Sequence, residues 1–123
     1  MSFLMRVARS PLGRFLVGRV FTHMSFLLPV ERLRETETLI AFHHPRPSYP
    51  VHILLVPRRP LSSLADLGPD DASFMIELYE TVDGLVQEFD LERRGYRLIV
   101  NGGAYQDVPH LHFHLVSEAK GAQ

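Results

Sequence analysis

Three histidines alternate with apolar residues in the run His110-Leu111-His112-Phe113-His114. On an extended strand successive side chains point to opposite faces, so the imidazoles share one face and Leu111, Phe113 and Leu115 the other. The apolar set explains why the segment folds as a strand. The imidazole set gains nothing from burial unless each ring is hydrogen-bonded, yet an imidazole of ordinary pKa, near 6.5, is mostly neutral at cellular pH and chemically able there. A neutral imidazole attacks phosphorus while its neighbours set its tautomer and protonate a leaving group. It also ligates zinc and other transition metals. Same-face positions on one strand stand about 6.6–6.8 Å apart, so a row of three converges poorly on one ion. Nucleophilic use needs a row, metal binding needs a cage, and a solvated strand face needs neither.

The elements around this row follow from periodicity and punctuation. Leu39-Ile40-Ala41-Phe42 reads as a strand after the polar run Glu31 to Thr38, and Pro45, Pro47 and Pro50 mark the loop behind it. Val51 to Val56 is a second strand, delimited by Pro50 and Pro57 and carrying His52, which taken alone reads as a core histidine. Gly68-Pro69-Asp70-Asp71 opens a helix, with early Pro and acidic residues, and Phe74, Met75, Leu78, Val82, Leu85, Val86 and Phe89 form its apolar stripe. Gly95 ends the connection, Tyr96 to Asn101 is a third strand, and His110 to Val116 is the last. Strands mixed with one long helix predict an α+β meander packed by helices.

Residues 1–30 form a separate N-terminal segment, basic and apolar, with Arg6, Arg9, Arg14 and Arg19 and no acid before Glu31. Leu12, Phe15, Leu16, Val20, Met24 and Leu27 predict a helix from about Ser10 to Phe26, stopped before Pro29 and facing a core or a dimer partner. Association of this segment with a membrane surface, or a targeting role, is the less favoured reading. Charged residues and His23 interrupt every apolar run short of the roughly 18 residues of a membrane span.

A chain of 123 residues fits one domain, and 46% hydrophobic with 22% charged residues and a formal net charge of -1 is an ordinary globular balance. Nothing in that balance points to nucleic acid as a partner. The chain has no cysteine, which excludes disulfides, thiolate nucleophiles and Cys-rich zinc sites, and fits a cytoplasmic location.

The stretch from Asn101 to Leu115 resembles the signature of the histidine triad (HIT) family, His-x-His-x-His followed by apolar residues, in its Hint-like branch. Ala41-Phe42-His43-His44-Pro45 with Pro50 to Arg59 is similar to the family's upstream strand pair, and Gly95 to Asn101 to its strand before the loop. Together these cover most of Leu39 to Val116, and the combination is more specific than three alternating histidines. The resemblance implies a HIT-like fold over residues 31–123, with about five antiparallel strands, one long helix and the extra N-terminal helix. It implies a homodimer, no cofactor, no resident metal and a nucleotide-like small molecule as ligand.

By the same resemblance His112 would be the nucleophile, attacking the α-phosphorus of a nucleoside phosphoramidate or similar nucleotide to form a covalent nucleotidyl-histidine that water hydrolyses. His114 would hydrogen-bond the phosphate or leaving group and help protonate it, His110 would position His112, and His52 on the facing strand would complete the relay. Asn101 would hold a phosphate or ribose oxygen, although a turn role before Gly102-Gly103 is compatible with that. Backbone N–H groups of the loop from Gly103 through Gln106 and Asp107 to Val108 would bind phosphate. The chain departs from the pattern where His44 replaces the acid that holds the ribose hydroxyls, and where Asp107 stands in place of a serine. Two alternatives remain, a binding module without turnover and a metal site built from His110, His112, His114 and His52.

Overall fold

A computed structural model describes residues 31–106 and 108–118. The helix expected from Ser10 to Phe26 and the position of Asp107 lie outside the described residues.

Five antiparallel strands form one sheet: β1 (Arg32–Glu35), β2 (Leu39–His43), β3 (Val51–Pro57), β4 (Arg97–Val100) and β5 (Phe113–Ser117). Their order is β1-β2-β3-β5-β4, so β5 inserts between β3 and β4 and the sheet is not a simple meander. The α+β class expected from the sequence stands. β2 and β3 sit inside the sheet and are rich in β-branched and large apolar residues, as strands covered on both faces are. β1 lies within the run read as merely polar. As an edge strand with charged side chains it shows no period-two apolar signal, and its charges discourage pairing with another chain. Arg34 on β1 ion-pairs with Glu88 at the far end of the long helix.

That helix, α1 (Ala72–Glu88), follows a short 3-10 turn at Pro69–Asp71. Asp71 closes the turn by accepting the Gly68 N–H at 3.0 Å, and its other oxygen takes the Arg59 guanidinium at 2.5 Å. The Arg59 hydrogen bond holds this carboxyl below the usual carboxylate range. Phe74, Leu78, Val82, Leu85 and Val86 pack on one face of the sheet against Leu39 and Ala41 of β2, Ile53 and Leu55 of β3, and Phe113 and Leu115 of β5. Met75, placed in this stripe by its spacing, is instead exposed, as are Ile76 and Tyr79 on the outer side. A second short helix, α2 (Leu91–Arg94), ends at Gly95, whose φ of +92° favours glycine. The Gly95 carbonyl accepts a hydrogen bond from Ser117 Oγ at 2.7 Å, which ties this turn to the end of β5.

The last strand is shorter than expected, beginning at Phe113 and not at His110. The ladder with β3 stops at Leu55 opposite Phe113, and two residues further on β3 ends at Pro57, which has no N–H to donate. The Leu111 N–H bonds to the Leu61 carbonyl at 2.7 Å instead. The alternation nevertheless persists upstream of the strand, since Leu111 joins Phe113 and Leu115 in the core while His110, His112 and His114 are buried away from it. The third predicted strand is also trimmed at both ends, to Arg97–Val100.

Candidate active site

On the sheet face opposite α1, the register that pairs Leu54 with His114 and His52 with Val116 makes His52 and His114 diagonal neighbours. His52 Nε2 lies 3.0 Å from His114 Nδ1. His112 sits just before β5, its ring centroid 5.0 Å from that of His114. His44 follows β2 directly and donates its backbone N–H to the His52 carbonyl at 2.8 Å, which lays its ring 4.4 Å from the His52 ring. The Tyr49 ring also packs on His52 in a T-shaped arrangement, with centroids 5.4 Å apart. Four imidazoles from three segments therefore form one buried cluster.

The hydrogen bonds assign each tautomer, because a neutral imidazole has one N–H and one acceptor nitrogen. A backbone N–H only donates. Ser48 N–H points at His52 Nδ1 at 3.0 Å, so the His52 proton is on Nε2. It donates to His114 Nδ1, which leaves the His114 proton on Nε2. Arg46 N–H donates to His44 Nδ1 at 3.0 Å and likewise puts that proton on Nε2. His112 is the opposite case. Its Nδ1 faces the His110 carbonyl at 2.8 Å and must carry the proton, so Nε2 holds a bare lone pair. That Nε2 is buried and has no hydrogen-bond partner among the described residues. A buried polar atom left unpaired costs stability and calls for a functional reason.

Charge is kept out of the cluster. Burial pushes His44 and His52 down to about 4, helped by the positive charge His112 would place on His44 and His44 on His52. Burial, then the neighbouring His112, His52 and His44, push His114 down to about 3. His112 is also lowered by burial, against the hydrogen bond to the His110 carbonyl, which favours its protonated form. His110 stands behind the cluster with its Nε2 3.4 Å from the Pro57 carbonyl, and is lowered to about 4, mainly by burial. Its own carbonyl orients His112. The site therefore offers one uncharged nucleophilic nitrogen beside an N–H donor on His114. The alternative of imidazoles gathered on one cation finds no suitable group of His, Asp or Glu among the described residues.

The model of the HIT domain matches residues 28–121. The chain belongs to the HIT family. A HIT-like protein of Chlamydia pneumoniae is 37% identical over 92 residues, covering 73% of this chain and 83% of its own. Among solved structures, a HIT family hydrolase from Legionella pneumophila superposes with a TM-score of 0.69 at 28% identity, over 76% of this chain and 85% of its own. A histidine triad nucleotide-binding protein from Candida albicans gives 0.64 at 29% identity, over 78% of this chain and 73% of its own.

Of the HIT site residues read from the sequence, the structure brings together His44, His52, His112 and His114, with His110 holding His112 through its carbonyl. Asn101 is half-buried at the end of β4. Gly103, with a φ of +58°, opens a 3-10 turn through Tyr105. The N–H groups of Tyr105 and Gln106 close that turn onto the Gly102 and Gly103 carbonyls. The Gln106 side chain is tied to the Ser62 carbonyl at 2.6 Å and the Val108 carbonyl at 3.2 Å, and the Val108 side chain is buried. Two of the loop amides expected to hold phosphate are thus engaged locally. Sequence reasoning missed the amides of Arg46 and Ser48, because backbone donors carry no residue signature. The only hint was the proline spacing of their loop.

Proposed function

We propose that this HIT-family chain is a nucleotide hydrolase or nucleotidyl transferase that cleaves a nucleoside phosphoramidate or similar nucleotide at the α-phosphorus. The observation that carries the reading is the bare, buried His112 Nε2 with its proton held on Nδ1 by the His110 carbonyl. As the Nε2–phosphorus bond forms, the phosphorus–nitrogen bond breaks. The leaving amine keeps the bond pair and takes the proton of His114 Nε2, which leaves negative charge on the His114 ring, held by the His52 Nε2–H at its Nδ1. Positive charge appears on the His112 ring, 5.0 Å away, and stabilises the loss of that proton. Water then delivers hydroxyl to phosphorus and a proton back to His114, releasing the monophosphate and restoring His112. The similar Legionella hydrolase and Candida nucleotide-binding protein support this class of reaction.

The ligand in this reading is a small nucleotide, not a nucleic acid, bound by amides of the loop after Gly102 and by Asn101. The assembly is a homodimer in the cytoplasm. Ile76 and Tyr79, 59% and 70% exposed on α1, and Leu98 on the edge strand β4 supply the apolar surface for a second copy. Among the described residues no helix is long and apolar enough to cross a membrane.

Purified protein offered adenosine and guanosine phosphoramidates is expected to release monophosphate, and quenched reactions to show one nucleotidyl group on His112. His112→Ala should lower turnover by about 10⁴-fold or more, the scale of loss on removing a nucleophile. Unchanged activity in that variant would sink the assignment. Calorimetric affinity for a nucleotide with no product after long incubation would favour a binding module.

A further inference from the structure

The loop between β2 and β3, residues 44–50, places two backbone donors on the site. Arg46 N–H meets His44 Nδ1 and Ser48 N–H meets His52 Nδ1, each at 3.0 Å. The second contact reaches further than its own ring. An amide N–H cannot accept, so it excludes a proton from His52 Nδ1, and the His52 proton must point at His114. Without that amide the chain His52–His114 is free to run the other way, with His114 Nδ1–H donating to His52 Nε2. His114 would then turn a lone pair, not an N–H, toward the ligand. The donor or acceptor character of His114 is therefore decided two hydrogen bonds away.

The loop suits this task. Pro45, Pro47 and Pro50 fix φ on either side of both donors and lower the entropy lost in holding them. The ring of Tyr49, between Ser48 and Pro50, packs T-shaped against His52 with centroids 5.4 Å apart, which restrains that imidazole from turning. His112 lies outside this control, since its tautomer answers to the His110 carbonyl. Loop and carbonyl together impose opposite tautomers on the two rings that must give and receive at phosphorus.

We infer that the backbone amide of Ser48 is a positioning group that, through His52, commits His114 to present an N–H donor to the ligand. The inference rests on the proposed reaction for its kinetic arm only. Ser48→Pro removes the amide hydrogen, and Ser48→Ala, which keeps it, is the reference for comparison. Long-range 1H–15N spectra of labelled protein at neutral pH are expected to show His52 and His114 protonated on Nε2 and His112 on Nδ1 in the native chain. In Ser48→Pro, the protons of His52 and His114 should move to Nδ1. A native spectrum with His52 protonated on Nδ1 overturns the inference whether or not the protein is an enzyme and whether or not the variant folds. In the kinetic arm, Ser48→Pro should lower kcat/KM for an amine-leaving phosphoramidate by about 100-fold relative to Ser48→Ala, the scale of a lost general acid. For a p-nitrophenyl nucleotide, whose leaving group needs no proton, the loss should stay within about threefold. Equal losses on both substrates mark a purely structural role and overturn it, as does no loss on either. Native protein that turns over neither substrate defeats the proposed reaction while leaving the spectral test intact.

Discussion

At the residue level the decisive feature is that identical side chains are given opposite chemistry by their partners. His112 faces a carbonyl and His52 faces an amide, and each partner sits within 3.0 Å of an Nδ1. Burial and mutual repulsion keep the rings neutral well below pH 6.5. Burial lowers the nucleophile His112 too, so the acid limb of kcat/KM is expected below the ordinary imidazole value of 6.5. A limb centred near 6.5 in a pH–rate profile would show that His112 is exposed to solvent in the working enzyme. His44 makes a second point. With its Nδ1 taken by the Arg46 amide it presents only an N–H, so it cannot accept from a ribose hydroxyl as a carboxylate does. Removing the 2′-hydroxyl from a nucleoside monophosphate should change its Kd by less than about threefold. In His44→Asp, the same removal should cost about tenfold, the worth of a hydrogen bond to a charged acceptor. Titration calorimetry with the two ligands decides this.

At the scale of elements, the sheet positions the cluster by packing one face of β5 on α1 and carrying the imidazole row on the other. Leu115 is fully buried against α1 and pairs in register with Ile53 of β3. Leu115→Ala should cost about 2–5 kcal/mol and lower Tm. Because His114 is the next residue along the strand, activity in this variant should fall even at temperatures where it remains folded. The core strands β2 and β3 were legible as short apolar runs bounded by polar residues and prolines, and the long helix by apolar residues repeating at 3.6. β1 was not, since Arg32, Arg34 and Glu35 carry no such signal and only pairing with β2 makes that segment a strand. The upstream limit of β5 was also hidden. The His-x-His alternation continues past the point where the hydrogen-bonded ladder ends, and side-chain period alone does not report backbone pairing.

Across the whole molecule, packing several neutral histidines inside a small fold links stability to pH. Unfolded, each of these histidines titrates near 6.5. Folded, His44, His52 and His110 are lowered to about 4 and His114 to about 3. Between these values the unfolded chain binds more protons, so the stabilisation is fully present above about pH 6.5 and is lost as pH falls toward 4 and then 3. The denaturant midpoint should decline steadily over that window. His52→Gln should flatten the decline, and an unchanged slope in that variant would show that His52 is not held neutral by the fold. The opposite side of the molecule bears on assembly. Ile76→Asp on exposed α1 should convert a sedimenting dimer to monomer if that helix faces a second copy, and should leave the monomer folded because the residue is 59% exposed.

The sequence by itself determined which residues could react. Alternation placed three imidazoles on one side and three apolar residues on the other, an inference that needs only the local geometry of a period of two. His52, by itself a core histidine in an apolar strand, joined them only through the family resemblance. Tertiary structure decided what each imidazole does. Whether a ring gives or receives depends on the group opposite its Nδ1, and those groups are main-chain atoms of Ser48, Arg46 and His110, brought there by strand pairing and a proline-spaced loop. Every residue but proline carries such an N–H and every residue a carbonyl, so no residue type announces which one will be used.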